Sequence, residues 1–182
     1  MNLKTKIYVY TITLLSLCML VFLYNNYYTK INIADFLFFI TILFITHNIN
    51  IITSLENIDI TMVIPILYIL LNLYSPLWVA IIFTTGTIDL QKHEYEYKYY
   101  NNIFNIAMFF LTSSLSSLVY YHLKNLAKID NIIILTGLSI ITYYILNQIF
   151  VYIVVKLSTG DNVLKILLNV FLNTFCSFII GI

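Results

Sequence analysis

Few residues in this chain can do chemistry, and those that can sit inside apolar segments. His47 comes near the close of one such segment, with Asn50 three residues on and therefore on the same helical face. Asn105 opens another segment. Asn147 and Gln148 lie within a third, with Tyr143 one turn before Asn147, and Asn169 and Asn173 are one turn apart in a fourth. An ionisable or amide group in a hydrophobic segment turns inward rather than towards lipid, so each is a candidate for ligand recognition. The plainer reading is that amides and hydroxyls bond between helices, for about 1 kcal/mol each, and simply hold a bundle together. Small polar pairs such as Thr112 with Ser116 and Ser113 with Ser117 suit that role.

Catalysis lacks its usual parts. There is no HExxH and no GxSxG, and four glycines cannot build a glycine-rich phosphate loop. All nine basic residues are Lys, so no guanidinium is available to clamp a phosphate or carboxylate in two places. Cys18 and Cys176 lie in opposite terminal segments and form no CxxC pair, which implies neither a zinc site nor a disulfide framework. They read as small packing residues. His47 and His93 have no Cys nearby in sequence. The expectation is a non-enzyme with no catalytic residue, metal or cofactor. The candidate ligand-binding set is His47, Asn50, Asn105, Tyr143 and Asn147.

The elements that must position these residues follow from composition. Of 182 residues, 61% are hydrophobic and 9% charged, whereas a soluble domain carries about 25% charged residues. The nine Lys nearly balance eight acidic residues. This excludes a disordered tail, a nucleic-acid-binding protein and a soluble enzyme of ordinary composition. Seventeen Asn and sixteen Tyr accompany the Ile and Lys. All four residue types use AT-rich codons, as in a low-GC bacterium.

Seven apolar segments run Ile7 to Tyr24, Ile33 to Ile52, Ile60 to Leu73, Pro76 to Leu90, Ile103 to Tyr121, Asn131 to Val155 and Val163 to Ile182. A helix needs about 20 apolar residues to cross a bilayer, and backbone polar groups there must be satisfied internally, so helices are expected. The first segment follows Lys4 and Lys6, but no small-x-small cleavage site comes after it, so it reads as an uncleaved membrane helix rather than a signal peptide. The predicted fold is all-α: a polytopic transmembrane bundle of six or seven helices in the inner (cytoplasmic) membrane, with residues 1–182 forming a single integral membrane domain. The polar stretch Asp89 to Asn102 is expected to form a short interfacial helix or to extend a neighbouring span; Glu94 and Lys98 are spaced to support a helix. Tyr27-Tyr28, Tyr99-Tyr100 and Tyr120-Tyr121 mark segment ends, as headgroup-level rings do, while Tyr143-Tyr144 falls mid-segment.

The third and fourth segments are short. Pro65 is predicted to interrupt the first of them, freeing a backbone carbonyl, and Pro76 suits the N1 position of the next. If each makes its own crossing and the N-terminus is inside, six Lys fall inside and three outside. If the two together make one crossing, the tally becomes four inside and five outside.

At this run the chain resembles the N-terminal membrane-spanning region of bacterial signalling proteins that carry an HD-GYP phosphodiesterase or GGDEF cyclase domain. ILYILLNLYSPLWVAIIFTTGTI resembles that family's apolar helix, Pro-containing turn and small-residue helix. FNIAMFFLTSSLSSLVYY with Asn105, and NQIFVYIVVKLSTG with Asn147 and Gly160, resemble its later helices. The likeness covers about residues 33–182. It implies a membrane-embedded sensor or anchor region, orphan or truncated, since the family would continue into an output domain. No catalytic residue carries over. The alternative is the substrate-binding membrane subunit of an energy-coupling-factor vitamin transporter, which is also small and helical; the four glycines and scarce alanine argue against its small-residue docking motifs. The expected partners are the lipid bilayer and either a second copy or a signalling protein, with no nucleic acid.

Overall fold

The computed structural model describes residues 2–48, 63–88, 98–127 and 130–159. They form six α-helices: α1 Leu3–Tyr27, α2 Ile33–Asn48, α3 Val63–Leu73, α4 Pro76–Gly86, α5 Lys98–Asn125 and α6 Ile132–Thr159. Each matches one of the first six apolar segments, and the described residues include no strand. The seventh segment lies outside the described residues. So does the polar stretch up to Tyr97; its remainder extends α5, whose helix begins at Lys98.

Polar residues start the helices and are absorbed along them. Asn2 caps α1: its Oδ1 accepts from the Thr5 backbone N–H and hydroxyl, both at 2.8 Å. Asn131 caps α6 in the same way, accepting from the N–H groups of Ile133 and Ile134 at 3.0 and 3.3 Å. A capping amide satisfies donors that the first turn leaves without partners. Pro76 occupies N1 of α4 after the extended Ser75, as expected. Pro65 is the third described residue of α3, and the residues before Val63 lie outside the described residues. Within the helices, Thr13, Thr41, Thr87, Thr112 and Thr136 donate to carbonyls four residues back. Hydroxyls bonded in this way sit in an apolar helix without an external partner.

The helices alternate in direction. Lys6 Nζ lies 5.6 Å from the Tyr100 ring centroid at one end, and Tyr27 meets Tyr121 at 5.0 Å at the other, so α1 and α5 are parallel. Ser116 Oγ donates to the Ser139 carbonyl at 2.7 Å, within an antiparallel α5–α6 pair. Asn2 Nδ2 donates to the Leu157 carbonyl, which places the start of α1 beside the end of α6. The α3–α4 turn meets the α1–α2 loop: Thr29 and Ser75 hydroxyls are 3.1 Å apart, and Trp78 Nε1 donates to the Thr29 carbonyl at 2.6 Å. Here Tyr120 Oη, near the end of α5, also donates to Asn72 Oδ1 at 2.7 Å. The two short helices are therefore the arms of a hairpin rather than two halves of one crossing. At 1.5 Å per residue α4, from Pro76 to Gly86, is about 16 Å long, roughly half the hydrocarbon core.

Among the described residues, three helical stretches are long and apolar enough to cross a membrane: Leu3–Tyr27, Tyr100–Asn125 and Ile132–Thr159. Of the most apolar stretch of each, 67% is buried in α5 but only 17% in α1 and 22% in α6, which makes α5 the central helix. Its Thr112, Ser113, Ser114, Ser116 and Ser117 are all buried, and such small side chains allow close helix approach. Cys18, expected to pack inside, is exposed on α1. Cys176 lies outside the described residues.

Candidate functional site

Residues of α6 that face the bundle fall in two groups. Ile140, Tyr143 and Tyr144 join a core cluster with α3 and α4. Phe150, Val151 and Val154 pack against a second cluster built by α1 and α5. Asn147 lies on the line joining them, one turn from Tyr143 and one turn from Val151. It thus projects inward at the border between the two clusters. Its Oδ1 is buried and accepts no hydrogen bond, and the same holds for Oε1 of the adjacent Gln148. A buried carbonyl without a donor loses its hydration for no return, at about 1–3 kcal/mol.

The neighbours of Asn147 follow from the α5–α6 register. Ser116 against Ser139 sets it, and Tyr8 repeats it by touching the Phe104 ring at 6.1 Å and the Phe150 carbonyl at 3.4 Å. In that register Asn147 is level with Met108 and Phe109, near the middle of both long helices. Phe109 packs against both core clusters. The His47 ring, from the last turn of α2, meets Phe109 edge-on at 6.2 Å. Asn105 is half-buried, one turn before Phe109 on the same face of α5. On the other side of Asn147, Tyr143 is buried with its ring 5.2 Å from Phe83 and 5.9 Å from Tyr144.

Of the five residues singled out in sequence, the structure brings the His47 ring against Phe109, leaves Asn105 one turn before that phenylalanine on α5, and puts Asn147 level with it on α6, one turn from Tyr143. Asn50 lies outside the described residues. Sequence reasoning missed Phe109, which in an apolar segment carries no distinguishing signal. It also missed Asn72, whose partner Tyr120 is 48 residues away.

Among the described residues the layer holds no Lys or Asp. The described Lys and Asp residues stand at helix ends or in loops: Lys4, Lys6, Lys30, Asp35, Lys98, Lys124, Asp130 and Lys156. No group of three His, Cys, Asp or Glu that could hold a metal occurs among the described residues. One titratable contact stands out at the α3–α4 turn. Partial burial and the Asp35 carboxylate both hold the Tyr74 hydroxyl in its protonated form, raising it above its usual value. The central layer can accept hydrogen bonds from a neutral donor; among the described residues it holds no Lys or Asp. Comparison with protein-family models, with curated proteins and with solved structures finds no match for this chain.

Proposed function

We propose that this chain is a multi-pass protein of the cytoplasmic membrane that binds a small ligand within its helical bundle, as the sensory or anchoring region of a signalling system. The observation that carries the reading is the inward-facing Asn147, whose buried Oδ1 has no partner at the junction of two core clusters. Polar groups held at this depth against their solvation cost mark binding or transport sites. The signalling part rests on the resemblance of the helical segments to sensor regions. The small side chains of α5 are buried inside the bundle rather than offered outward for docking, which favours this reading over a transporter subunit.

Lys placement supports an orientation. Lys4, Lys6, Lys98 and Lys156 belong to the end that holds the start of α1, against Lys30 and Lys124 at the other. The positive-inside rule then puts the start of α1 on the cytoplasmic side, and alternation returns Thr159 to that side.

The test is a thermal-shift screen of small polar metabolites on the detergent-solubilised protein and on Asn147→Leu. At least one compound should stabilise the wild type and leave the variant unmoved. Equal shifts in both, or none in the wild type, would remove the site from this layer.

A further inference from the structure

We infer that the ligand is an uncharged, planar molecule that donates an N–H or O–H hydrogen bond; this deepens, and rests on, the assignment of the binding site to the Asn147 layer. Three observations on that layer limit the chemistry.

The open groups are acceptors. Asn147 Oδ1 and Gln148 Oε1 are adjacent in sequence, both buried and both without a donor. A ligand that only accepts hydrogen bonds leaves them as they are. A ligand with a donor satisfies at least one.

The surroundings are aromatic. By the α5–α6 register Asn147 is level with Phe109, which the His47 ring meets, and Tyr143, against Phe83 and Tyr144, lies one turn before it on α6. Ring faces and edges favour a flat, π-bearing partner over a branched aliphatic one of equal size.

The layer is deep and, among the described residues, holds no Lys or Asp. Asn147 lies near the middle of α6, more than two turns from either end, and the described Lys and Asp residues stand at helix ends or in loops. An ion taken to mid-bilayer depth without a partner pays its desolvation in full, so both carboxylates and ammonium groups are disfavoured. Together these features select a neutral N–H or O–H aromatic, for which indole is the simplest probe.

The experiment uses the whole chain in phosphatidylcholine nanodiscs, with saturation-transfer NMR as the readout and empty nanodiscs as the blank. Four probes are compared: indole, 1-methylindole, tryptamine and indole-3-acetate. Indole should bind at least about tenfold more tightly than 1-methylindole, which has the same shape without the donor. It should exceed the cationic and anionic probes by at least as much. Asn147→Leu should abolish the indole preference; if that variant does not fold, Gln148→Leu, which removes the second open acceptor, should reduce it. Preferential binding of tryptamine or indole-3-acetate that is lost in Asn147→Leu would overturn the ligand class while keeping the site. Equal binding of indole and 1-methylindole, unchanged by both substitutions, would overturn site and class together. Binding of no probe to the wild type would overturn the class.

Discussion

Gly86 of α4 stands against Leu43 of α2 so closely that a Cβ at Gly86 would collide with the Leu43 Cβ. The same pair of helices meets near its other end, where Phe36 and Trp78 rings are 5.8 Å apart. The two helices therefore run parallel and in register, with the glycine setting how near they come.

Gly86→Ala should destabilise the bundle by about 1–3 kcal/mol, the usual effect of overpacking, because Leu43 is fully buried and has no free end to yield. Gly137→Ala is the control: nothing lies within 4 Å of its added methyl, and stability should be unchanged or slightly raised. Unfolding in mixed detergent micelles checks both, and equal behaviour of the two variants contradicts the close α2–α4 approach.

Tyr120 and Asn72 should be coupled. Their 2.7 Å hydrogen bond joins α5 to α3. A double-mutant cycle with Tyr120→Phe and Asn72→Leu is expected to give a coupling energy of about 1 kcal/mol, typical of bonds between membrane helices. Additive effects would mean that the bond does not form.

Asn147→Leu should not cost stability. It replaces an acceptor that has no donor with an apolar group of similar size, so the variant is expected to be neutral or up to about 1 kcal/mol more stable in the absence of ligand. Loss of several kcal/mol in the same unfolding assay would show that the amide is structural glue.

Alkaline pH should weaken the α3–α4 turn through Tyr74. Its hydroxyl is raised by partial burial and by Asp35, so the folded state holds the proton that the unfolded chain releases from about pH 10. The contribution is complete below that pH and lost as pH rises past it. Tyr74→Phe should make the decline of stability above pH 10 less steep; an unchanged slope rules out the Asp35 contact.

Helix direction predicts side-specific labelling. In a cysteine-free background, single cysteines at Thr29 and Ala127 should react with an impermeant maleimide from one side of the membrane, and one at Thr159 from the other. Labelling of Thr29 and Thr159 from the same side contradicts the alternation of the six helices.

The helices themselves were legible because segment length and unbroken hydrophobicity decide them: Ile7 to Tyr24 lies within α1, and Asn131 to Val155 corresponds to α6. Pro76 and Ser75 marked the start of α4 for a purely local reason. The inward turn of Asn147 was legible from an amide in an apolar run. Which helix is central was not. Helices apolar on every side give no face to read, and only packing distinguishes buried α5 from the outer α1. Nor could sequence separate a hairpin from a single crossing at α3 and α4, since the contacts of Thr29 with Ser75 and Trp78 span 46 and 49 residues.

The central position of α5 has a consequence for biosynthesis. α1 to α4 leave the ribosome before α5, on which α1 and α4 pack, and in lipid no hydrophobic force gathers them meanwhile. The Gly86–Leu43 approach and the Trp78–Phe36 contact need only α2 and α4, so that pair can assemble early. α1 meets α4 through Leu23 against Leu77 and Ala80, so it can join that pair before α5 arrives, whereas the Asn2–Leu157 bond forms only after α6 is made. A ribosome pausing between α4 and α5 would hold the chain as α1, α2 and α4 gathered without their central helix, the stage most exposed to membrane quality-control proteases.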